Sequence, residues 1–323
     1  MAPLTTTFAS LSARAQGFAR LLTLVLTGTP STLTAMTMPS STYWRGVTYG
    51  NGYFVAVAGN PSTRGAYSTN GTSWTASTLP SSQYWSTVTY GNGYFVAVQD
   101  TGSATAGAYS TNGTTWTAST MPSSTAWHSV TYGNGYFVAV AGTTTAGAYS
   151  TNGTSWTAST MPSSQNWQGV TYGNGYYVAV AEVTTAGACS TNGRTWTAST
   201  MPSSSYWYGV GYGLIGATPT FVAVAGDPTT AGAYSTNGTS WTASTMPSSS
   251  EWCSVTYGNG YFVTVAAGVP STVGAYSTNG STWTAATMPS ADWETVTYSN
   301  GYFVAVAYNT STGGYFAFTR SYV

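Results

Sequence analysis

Residues 44–58 read WRGVTYGNGYFVAVA, and this stretch recurs along the chain with few changes. It contains two short runs rich in aromatic and β-branched residues, 47–49 and 53–58, on either side of Asn51-Gly52. An Asn-Gly pair readily adopts the positive φ angles that a two-residue hairpin turn requires. The stretch therefore predicts a β-hairpin centred on this turn.

A second recurring stretch follows the first, and in the first copy residues 66–75 read AYSTNGTSWT. It predicts two more strands joined at Asn70-Gly71, so each unit of about 40 residues carries four strands. The first tryptophan of the unit recurs at positions 44, 85, 127, 167, 207, 252 and 293. This pattern predicts an all-β fold, a seven-bladed β-propeller of four-stranded blades. An open solenoid of stacked units is the alternative.

The two ends of the chain complement each other. The seventh unit begins at Trp293 and ends without a fourth strand, whereas residues 33–39 (LTAMTMP) match the fourth-strand sequence of residues 74–80 (WTASTLP). We therefore expect the N-terminal strand to complete the last blade and close the ring. The expected organisation is an N-terminal arm over residues 1–30, which anchors the protein or contacts an assembly, and a propeller over residues 31–323.

The composition excludes several classes of protein. Only 4% of the residues are charged and the net charge is zero, so the chain lacks the basic footprint of an electrostatic nucleic-acid binder. No run approaches the roughly 20 apolar residues of a membrane span, so we expect no membrane insertion. A single histidine leaves no basis for a histidine triad or a zinc site. No catalytic, metal or cofactor site is predicted.

The copies of the repeat differ most at the residues that flank the first tryptophan. The residue after it is Arg45, Ser86, His128, Gln168, Tyr208, Cys253 or Glu294, and the residue before it is Tyr43, Tyr84, Ala126, Asn166, Tyr206, Glu251 or Asp292. In a four-stranded blade these positions emerge on one face, together with the loop between the second and third strands. A constant scaffold with one diversified loop face is typical of a binding surface, and drift in tolerant loops is the alternative.

The diversified face supplies the predicted ligand-binding residues. Its tyrosines combine an apolar ring with a hydroxyl group at low entropic cost, whereas its tryptophans either stack on sugar rings or fill the core. All six acidic residues but only Arg45 and Arg64 fall in its loops, so we expect a negative field there. The predicted ligand-binding residues are Tyr43, Trp44, Arg45, Tyr84, Trp85, His128, Asn166, Gln168, Tyr206, Tyr208, Glu251, Asp292 and Glu294.

The repeat resembles the propeller repeats of bacterial and phage surface proteins. Residues 68–74 (STNGTSW) are similar to a shortened Asp-box, the turn motif of sialidase-type propellers, with Asn70 in the aspartate position. The resemblance covers residues 32–323 and implies a propeller fold in which these turns are structural. Residues 8–18 (FASLSARAQGF) are similar to short N-terminal segments of phage virion proteins.

These observations predict a non-enzymatic recognition module on a virion or extracellular surface, of the tail-fibre or receptor-binding type. Its diversified face is expected to bind a host glycan or a surface protein, while the N-terminal arm contacts other subunits of the assembly. One alternative is a structural coat, decoration or tail subunit whose loops meet neighbouring subunits. Another is a glycoside hydrolase in which carboxylates among Glu251, Asp292 and Glu294 act as acid and base.

Overall fold

The computed structural model describes residues 5–6, 24–102, 104–268, 271–308, 310–317 and 319–322. These residues form 29 β-strands and no helix. It follows that these ranges contain no helix with the length and apolarity that a membrane crossing requires. Most of the predicted arm, residues 1–30, lies outside the described residues.

The strands of the first half of the chain are β1 (Thr5–Thr6), β2 (Leu24–Thr27), β3 (Thr34–Thr42), β4 (Trp44–Gly50), β5 (Tyr53–Ala58), β6 (Ser62–Ser68), β7 (Thr75–Gln83), β8 (Trp85–Gly91), β9 (Tyr94–Gln99), β10 (Ala106–Ser110), β11 (Thr117–Thr120), β12 (Trp127–Gly133), β13 (Tyr136–Ala141), β14 (Thr144–Ser150) and β15 (Thr157–Gln165). Those of the second half are β16 (Trp167–Gly173), β17 (Tyr176–Ala181), β18 (Thr184–Ser190), β19 (Thr197–Ser205), β20 (Trp207–Ile215), β21 (Thr218–Ala225), β22 (Thr229–Ser235), β23 (Thr242–Gly258), β24 (Tyr261–Ala267), β25 (Ser271–Ser277), β26 (Thr284–Ser299), β27 (Tyr302–Tyr308), β28 (Thr310–Ala317) and β29 (Thr319–Tyr322).

Consecutive strands pair antiparallel into four-stranded blades, which confirms the predicted repeat architecture. Strands β4–β7, β8–β11, β12–β15 and β16–β19 form four separate sheets. Strands β20–β28 and β3 form one ten-stranded sheet. This sheet is continuous because β23, with 17 residues, and β26, with 16, each serve as the last strand of one repeat and the first strand of the next.

The turns between the strands adopt the predicted conformations. Asn51 and Gly52 have φ angles of 47° and 85°, as a hairpin turn between β4 and β5 requires. In the turn between β6 and β7, the Asn70 side-chain oxygen accepts hydrogen bonds from the backbone N–H groups of Thr72 and Ser73, at 3.0 and 2.9 Å. These local bonds stabilise the turn in the manner of an Asx turn.

The hydrophobic core lies between adjacent repeats. In β5, Phe54 and Ala56 pack into one cluster, whereas Val55 and Val57 pack into the next cluster, with Trp85 of the following repeat. Because successive side chains of a strand point to opposite faces, the second strand of each repeat is buried on both sides. This explains why it reads as a continuous apolar run.

The two ends of the described chain meet in two sheets. Strand β3 pairs antiparallel with β28, which places Ala35 opposite Gly314 and Thr37 opposite Thr312. Strand β2 pairs with both β1 and β29 in a separate three-stranded sheet. The N-terminal strand therefore supplies the fourth strand of the seventh repeat.

Candidate ligand-binding cavity

A cavity of about 430 Å³ lies where the first strands of the repeats come together. The residue that follows the first tryptophan lines this cavity in every copy of the repeat: Arg45, Ser86, His128, Gln168, Tyr208, Cys253 and Glu294. These residues occupy equivalent positions on equivalent strands, so a common register directs their side chains into one space. The most variable position of the repeat is therefore the wall of the cavity.

Seven of the predicted ligand-binding residues lie together in this wall. They are Arg45, His128, Gln168, Tyr208, Glu251, Asp292 and Glu294. Asn166 does not line the cavity itself, but it is linked to a residue that does. The side-chain amide of Asn166 donates a hydrogen bond to one carboxylate oxygen of Glu182, and that of lining residue Gln168 donates to the other at 3.0 Å. Glu182 thus holds two neighbouring side chains in position.

Trp44 and Trp85 were predicted to contact a ligand, and the structure corrects this prediction. Both side chains are completely buried, as is the first tryptophan of every other repeat. The Trp44 indole N–H donates to the Ser40 carbonyl oxygen at 3.1 Å. The alternative that these tryptophans fill the core is therefore correct.

Three of the predicted tyrosines do not line the cavity. Tyr84 and Tyr206 are exposed outside it, with 40% and 37% of their surface accessible. Tyr43 stacks on Tyr308, with 3.9 Å between ring centroids and 15° between ring planes. Tyr308, which sequence reasoning missed, is itself a lining residue.

An ion-pair network crosses the cavity wall at Arg45. Its guanidinium donates a hydrogen bond to Asp100 and lies 3.9 Å from Glu294. Burial raises the pKa of Glu294 to about 7, and the nearby Asp292 and Asp100 also raise it, against the opposing effect of Arg45. Glu294 therefore changes its charge near neutral pH.

Three lining side chains bond to the next repeat through its first tryptophan. Ser86 donates to the Trp127 carbonyl oxygen at 2.6 Å, and the Cys253 thiol donates to that of Trp293 at 3.1 Å. His128 Nδ1 lies 3.2 Å from the Trp167 carbonyl oxygen. Because a carbonyl oxygen can only accept a hydrogen bond, Nδ1 is the donor. Burial lowers the pKa of His128 and raises the pKa of the Cys253 thiol well above its usual value. The imidazole is thus neutral, and the thiol keeps its proton.

A second variable position lies beside the first, at the end of the second strand or just after it. Gly59, Gly142 and Gly226 occupy this position beside Arg45, His128 and Tyr208. A Cβ atom at these glycines would lie 2.0 Å from Arg45 Cδ, 2.3 Å from His128 Cε1 and 2.4 Å from Tyr208 Cδ2. The absent side chain therefore makes room for the large one.

Elsewhere the same position carries a side chain. The remaining residues of this second set are Asp100, Glu182, Ala267 and Tyr308. Sequence reasoning named the acids but missed Tyr308, and it left Ser86 and Cys253 out of the predicted site. The seven copies vary at this position as they do beside the first tryptophan, and this variation is the sequence signal that identifies Tyr308.

Two carboxylates converge beside the turn after β24. Glu251 pairs through its backbone with Ala267, and the Asp292 carboxylate accepts a hydrogen bond from the Gly268 N–H at 2.8 Å. Within the described part of the chain, the Glu251 carboxylate forms neither an ion pair nor a hydrogen bond. No three His, Cys, Asp or Glu side chains of the described ranges are grouped as metal ligands. Glu251 is thus an acidic group free to meet a ligand.

No protein-family model and no curated protein matches the sequence, but solved structures match the fold. Virginiamycin B lyase from Staphylococcus aureus is 14% identical over 88% of this chain and 98% of its own, with a TM-score of 0.77. A catalytically inactive variant of that lyase with quinupristin matches with 14% identity, 88% and 98% coverage and a TM-score of 0.76. YCF48 bound to D1 peptide is 14% identical over 90% of this chain and 96% of its own, with a TM-score of 0.69.

These similarities confirm a β-propeller fold and correct the predicted function. The neighbours do not support the part of the resemblance that concerns Asp-box or phage surface proteins. They are virginiamycin B lyase and YCF48 rather than virion recognition modules, so the predicted host-recognition function is wrong. The predicted virion or extracellular location has no support in them either. The same finding overturns the coat-subunit and glycoside-hydrolase alternatives, which belonged to this prediction.

Proposed function

We propose that this propeller is a binding protein whose cavity takes a positively charged group of a peptide, namely a basic side chain or an N-terminal amine. The observation that carries the proposal is the imbalance of charge around the cavity. Glu251, Asp292 and Glu294 line it, and Asp100 and Glu182 bond to residues that line it. Among the described residues that line the cavity, Arg45 is the only cationic side chain.

This imbalance is large for a chain with so few charges. The whole protein has six acidic residues and a net charge of zero, and five of the six acids lie at the cavity. His128 does not offset them, because burial lowers its pKa and keeps it neutral. Clefts lined by one sign of charge concentrate the field and attract ligands of the opposite sign. A cation therefore fits this site better than an anion or a neutral sugar.

The size of the cavity and the peptide bound to one structural neighbour support a peptide ligand. A volume of about 430 Å³ lies within the range of about 300–1,000 Å³ that is usual for ligand pockets. Two of the structural neighbours are described with a bound ligand, one with quinupristin and one with D1 peptide. The Gln168 amide and the Tyr208 hydroxyl are polar groups in the wall that suit peptide groups beside the cation.

The state of the lining side chains supports binding without catalysis. The Cys253 thiol is held by the carbonyl oxygens of Val265 and Trp293, and burial raises its pKa well above the usual value. A thiol that keeps its proton is a poor nucleophile. Likewise, His128 is neutral and uses Nδ1 to bond to a backbone carbonyl. These groups stabilise the wall.

We further propose that seven blades form a closed ring around the cavity. The pairing of β3 with β28 supports this, as do the contacts of β26 and β27 with β4. Phe54 of the first repeat packs in one cluster with Val304 and Val306 of the seventh. The ion pair of Arg45 with Glu294 and the stacking of Tyr43 on Tyr308 join the same two repeats.

The binding proposal is tested by calorimetric titration with two end-blocked tripeptides, N-acetyl-Ala-Lys-Ala-amide and N-acetyl-Ala-Glu-Ala-amide. We expect saturable binding of the lysine peptide only, weakened by salt because the attraction is electrostatic. Glu251→Gln should weaken it at least fivefold, which corresponds to about 1 kcal/mol. Asp227→Asn is the matched control, since Asp227 is an exposed carboxylate that does not line the cavity. Equal binding of both peptides, or equal effects of both substitutions, would overturn the proposal.

A further inference from the structure

Pairs of tyrosines recur at the opposite end of the strands from the cavity. Tyr53 begins β5 directly after the hairpin turn and is paired with Gly50, whereas the cavity lies at the Trp44 end of the same hairpin. The ring of Tyr53 meets the ring of Tyr67 from β6 nearly at right angles. The distances between ring centroids are 5.9 Å for Tyr53–Tyr67, 6.1 Å for Tyr94–Tyr109, 6.2 Å for Tyr136–Tyr149 and 6.0 Å for Tyr261–Tyr276.

One of these pairs holds a cation supplied by the protein itself. The guanidinium carbon of Arg194 lies 4.5 Å from the ring centroid of Tyr136 and 4.7 Å from that of Tyr149. Both distances are within the roughly 6 Å that a cation–π interaction allows. Arg194 belongs to the following repeat, in the turn between β18 and β19, so the contact bridges two blades.

Four of the equivalent turns carry threonine in place of this arginine, and the fifth carries Ser281. Thr114 occupies the corresponding position in the repeat that follows Tyr53–Tyr67, and Thr154 in the repeat that follows Tyr94–Tyr109. These turns are held against the preceding repeat, since the side-chain amides of Asn51 and Asn92 donate to the backbone oxygens of Thr111 and Thr151 at 3.3 and 3.1 Å. Both tyrosine pairs thus keep the geometry of the occupied pair, without an arginine to fill it.

We propose that Tyr53–Tyr67 and Tyr94–Tyr109 are two guanidinium-binding sites, each of which accepts an arginine side chain of a partner protein. The ligand class follows from the one occupant that the structure contains, Arg194. These sites are separate from the acidic cavity and do not depend on the function proposed for it.

Arginine is favoured over lysine at these sites. The six acidic residues lie toward the other end of the strands, in β23 and β26 or just after β9, β17 and β21, so recognition rests on the faces of the rings rather than on ion pairing. A planar, weakly hydrated guanidinium stacks on aromatic faces, whereas an ammonium is a compact and strongly hydrated charge. The tyrosine pairs should therefore discriminate arginine from lysine, whereas the acidic cavity is proposed to accept either side chain.

The test is an NMR titration of the full-length protein with N-acetyl-arginine-amide, read at the aromatic resonances of assigned tyrosines. We expect saturable shifts at Tyr53 and Tyr67 and at Tyr94 and Tyr109, and none at Tyr136 and Tyr149, which Arg194 already occupies. N-acetyl-lysine-amide should give shifts at least threefold smaller at the same concentration. Reading the tyrosines directly separates these sites from any binding in the cavity.

Reciprocal substitutions make the test specific. In Thr114→Arg, the new arginine should occupy the Tyr53–Tyr67 pair, so adding the arginine ligand should no longer shift the resonances of these two tyrosines. The shifts at Tyr94 and Tyr109 should remain. Arg194→Thr should add a shift at Tyr136 and Tyr149, and it preserves the fold because threonine is the residue found in sister repeats. Two results would overturn the proposal. One is wild-type shifts at Tyr53 and Tyr67 that are no larger than those at Tyr136 and Tyr149. The other is the absence of a new shift at Tyr136 and Tyr149 in Arg194→Thr.

Discussion

The two ends of the repeated strands differ in how much their sequences vary. At the turn end, the motif Ser68-Thr69-Asn70-Gly71 recurs in six copies, and in each the asparagine oxygen accepts two backbone hydrogen bonds and the glycine has a positive φ. At the cavity end, the residue after the first tryptophan is different in all seven copies. That residue has no partner on the neighbouring strand, because the register shifts at a β-bulge between the first tryptophan and the residue two positions later in every repeat. A bulge commonly re-aims a side chain, and here the side chain lines the cavity. The turn residues are therefore constant because the backbone conformation of the turn requires them. The residues after the first tryptophan are diverse because each contributes a different side chain to the cavity.

The largest expected effect breaks a constant position at the turn end. A Cβ atom at Gly153 would lie 2.3 Å from Val96 Cγ2, whereas one at Gly135 would meet nothing within 4 Å, although both glycines have positive φ. Gly153→Ala should lower the free energy of unfolding by about 3 kcal/mol, and Gly135→Ala by about 1 kcal/mol. Urea denaturation measures both free energies of unfolding. Equal losses in the two variants would show that the cost comes from the positive φ alone and that the close packing around Gly153 contributes nothing.

The next effect concerns the cavity end and depends on pH. Burial raises the pKa of Glu294 from 4.5 to about 7, so the folded protein holds a proton that the unfolded chain releases between these pH values. The stabilisation from this proton is present below pH 4.5 and is lost as pH rises through about 7. Between pH 5 and 8, the wild type should lose about 2 kcal/mol more stability than Glu294→Gln. Melting temperatures across this range test it, and Asp227→Asn should keep the wild-type profile.

Ligand binding at the same group should follow pH in the opposite direction. As Glu294 ionises, the cavity gains a negative charge, so affinity for the blocked lysine peptide should rise by about three- to fivefold between pH 6 and 8. Titration of Glu294→Gln over the same range should give a nearly constant affinity. A wild-type affinity that falls with rising pH would contradict the role of this carboxylate.

A smaller loss is expected from one contact between repeats. Ser86→Ala removes the hydroxyl donor to the Trp127 carbonyl oxygen, a bond of 2.6 Å at a buried site. The free energy of unfolding should fall by about 1 kcal/mol, because the carbonyl oxygen is left without this donor. Ser155→Ala, at an exposed position of a turn, should change it by less than about 0.5 kcal/mol. Losses of equal size would contradict a specific role for Ser86.

The smallest effect tests the matched pair of variable positions. Gly142→Ala places a methyl group 2.3 Å from both His128 Cε1 and Asn166 Oδ1, and His128→Ser should relieve the first of these two contacts. The coupling between the two substitutions should be about 0.5 kcal/mol in a double-mutant cycle of unfolding free energies. Strict additivity would show that the two positions vary independently.

The sequence predicts most of the fold because turns and buried strands have local signatures. Asn51-Gly52 and the apolar run of β5 locate a hairpin without further information. The site is predicted less completely, since burial depends on how blades pack: Trp44 and Tyr43 are neighbours in sequence, yet one is buried in the core and the other stacks on Tyr308 of the seventh repeat. The stacking of Tyr43 on Tyr308 arises only because the first and seventh repeats meet.

The pairing of β3 with β28 also governs how the protein is made. Ribosomes add about 5–20 residues per second, so β3 leaves the ribosome roughly 15 to 50 seconds before its partner, which lies about 270 residues later. During this interval the third strands of the earlier repeats are made, and their sequences resemble that of β28. We therefore expect the folding yield to depend on keeping β3 from pairing with these strands before β28 is available.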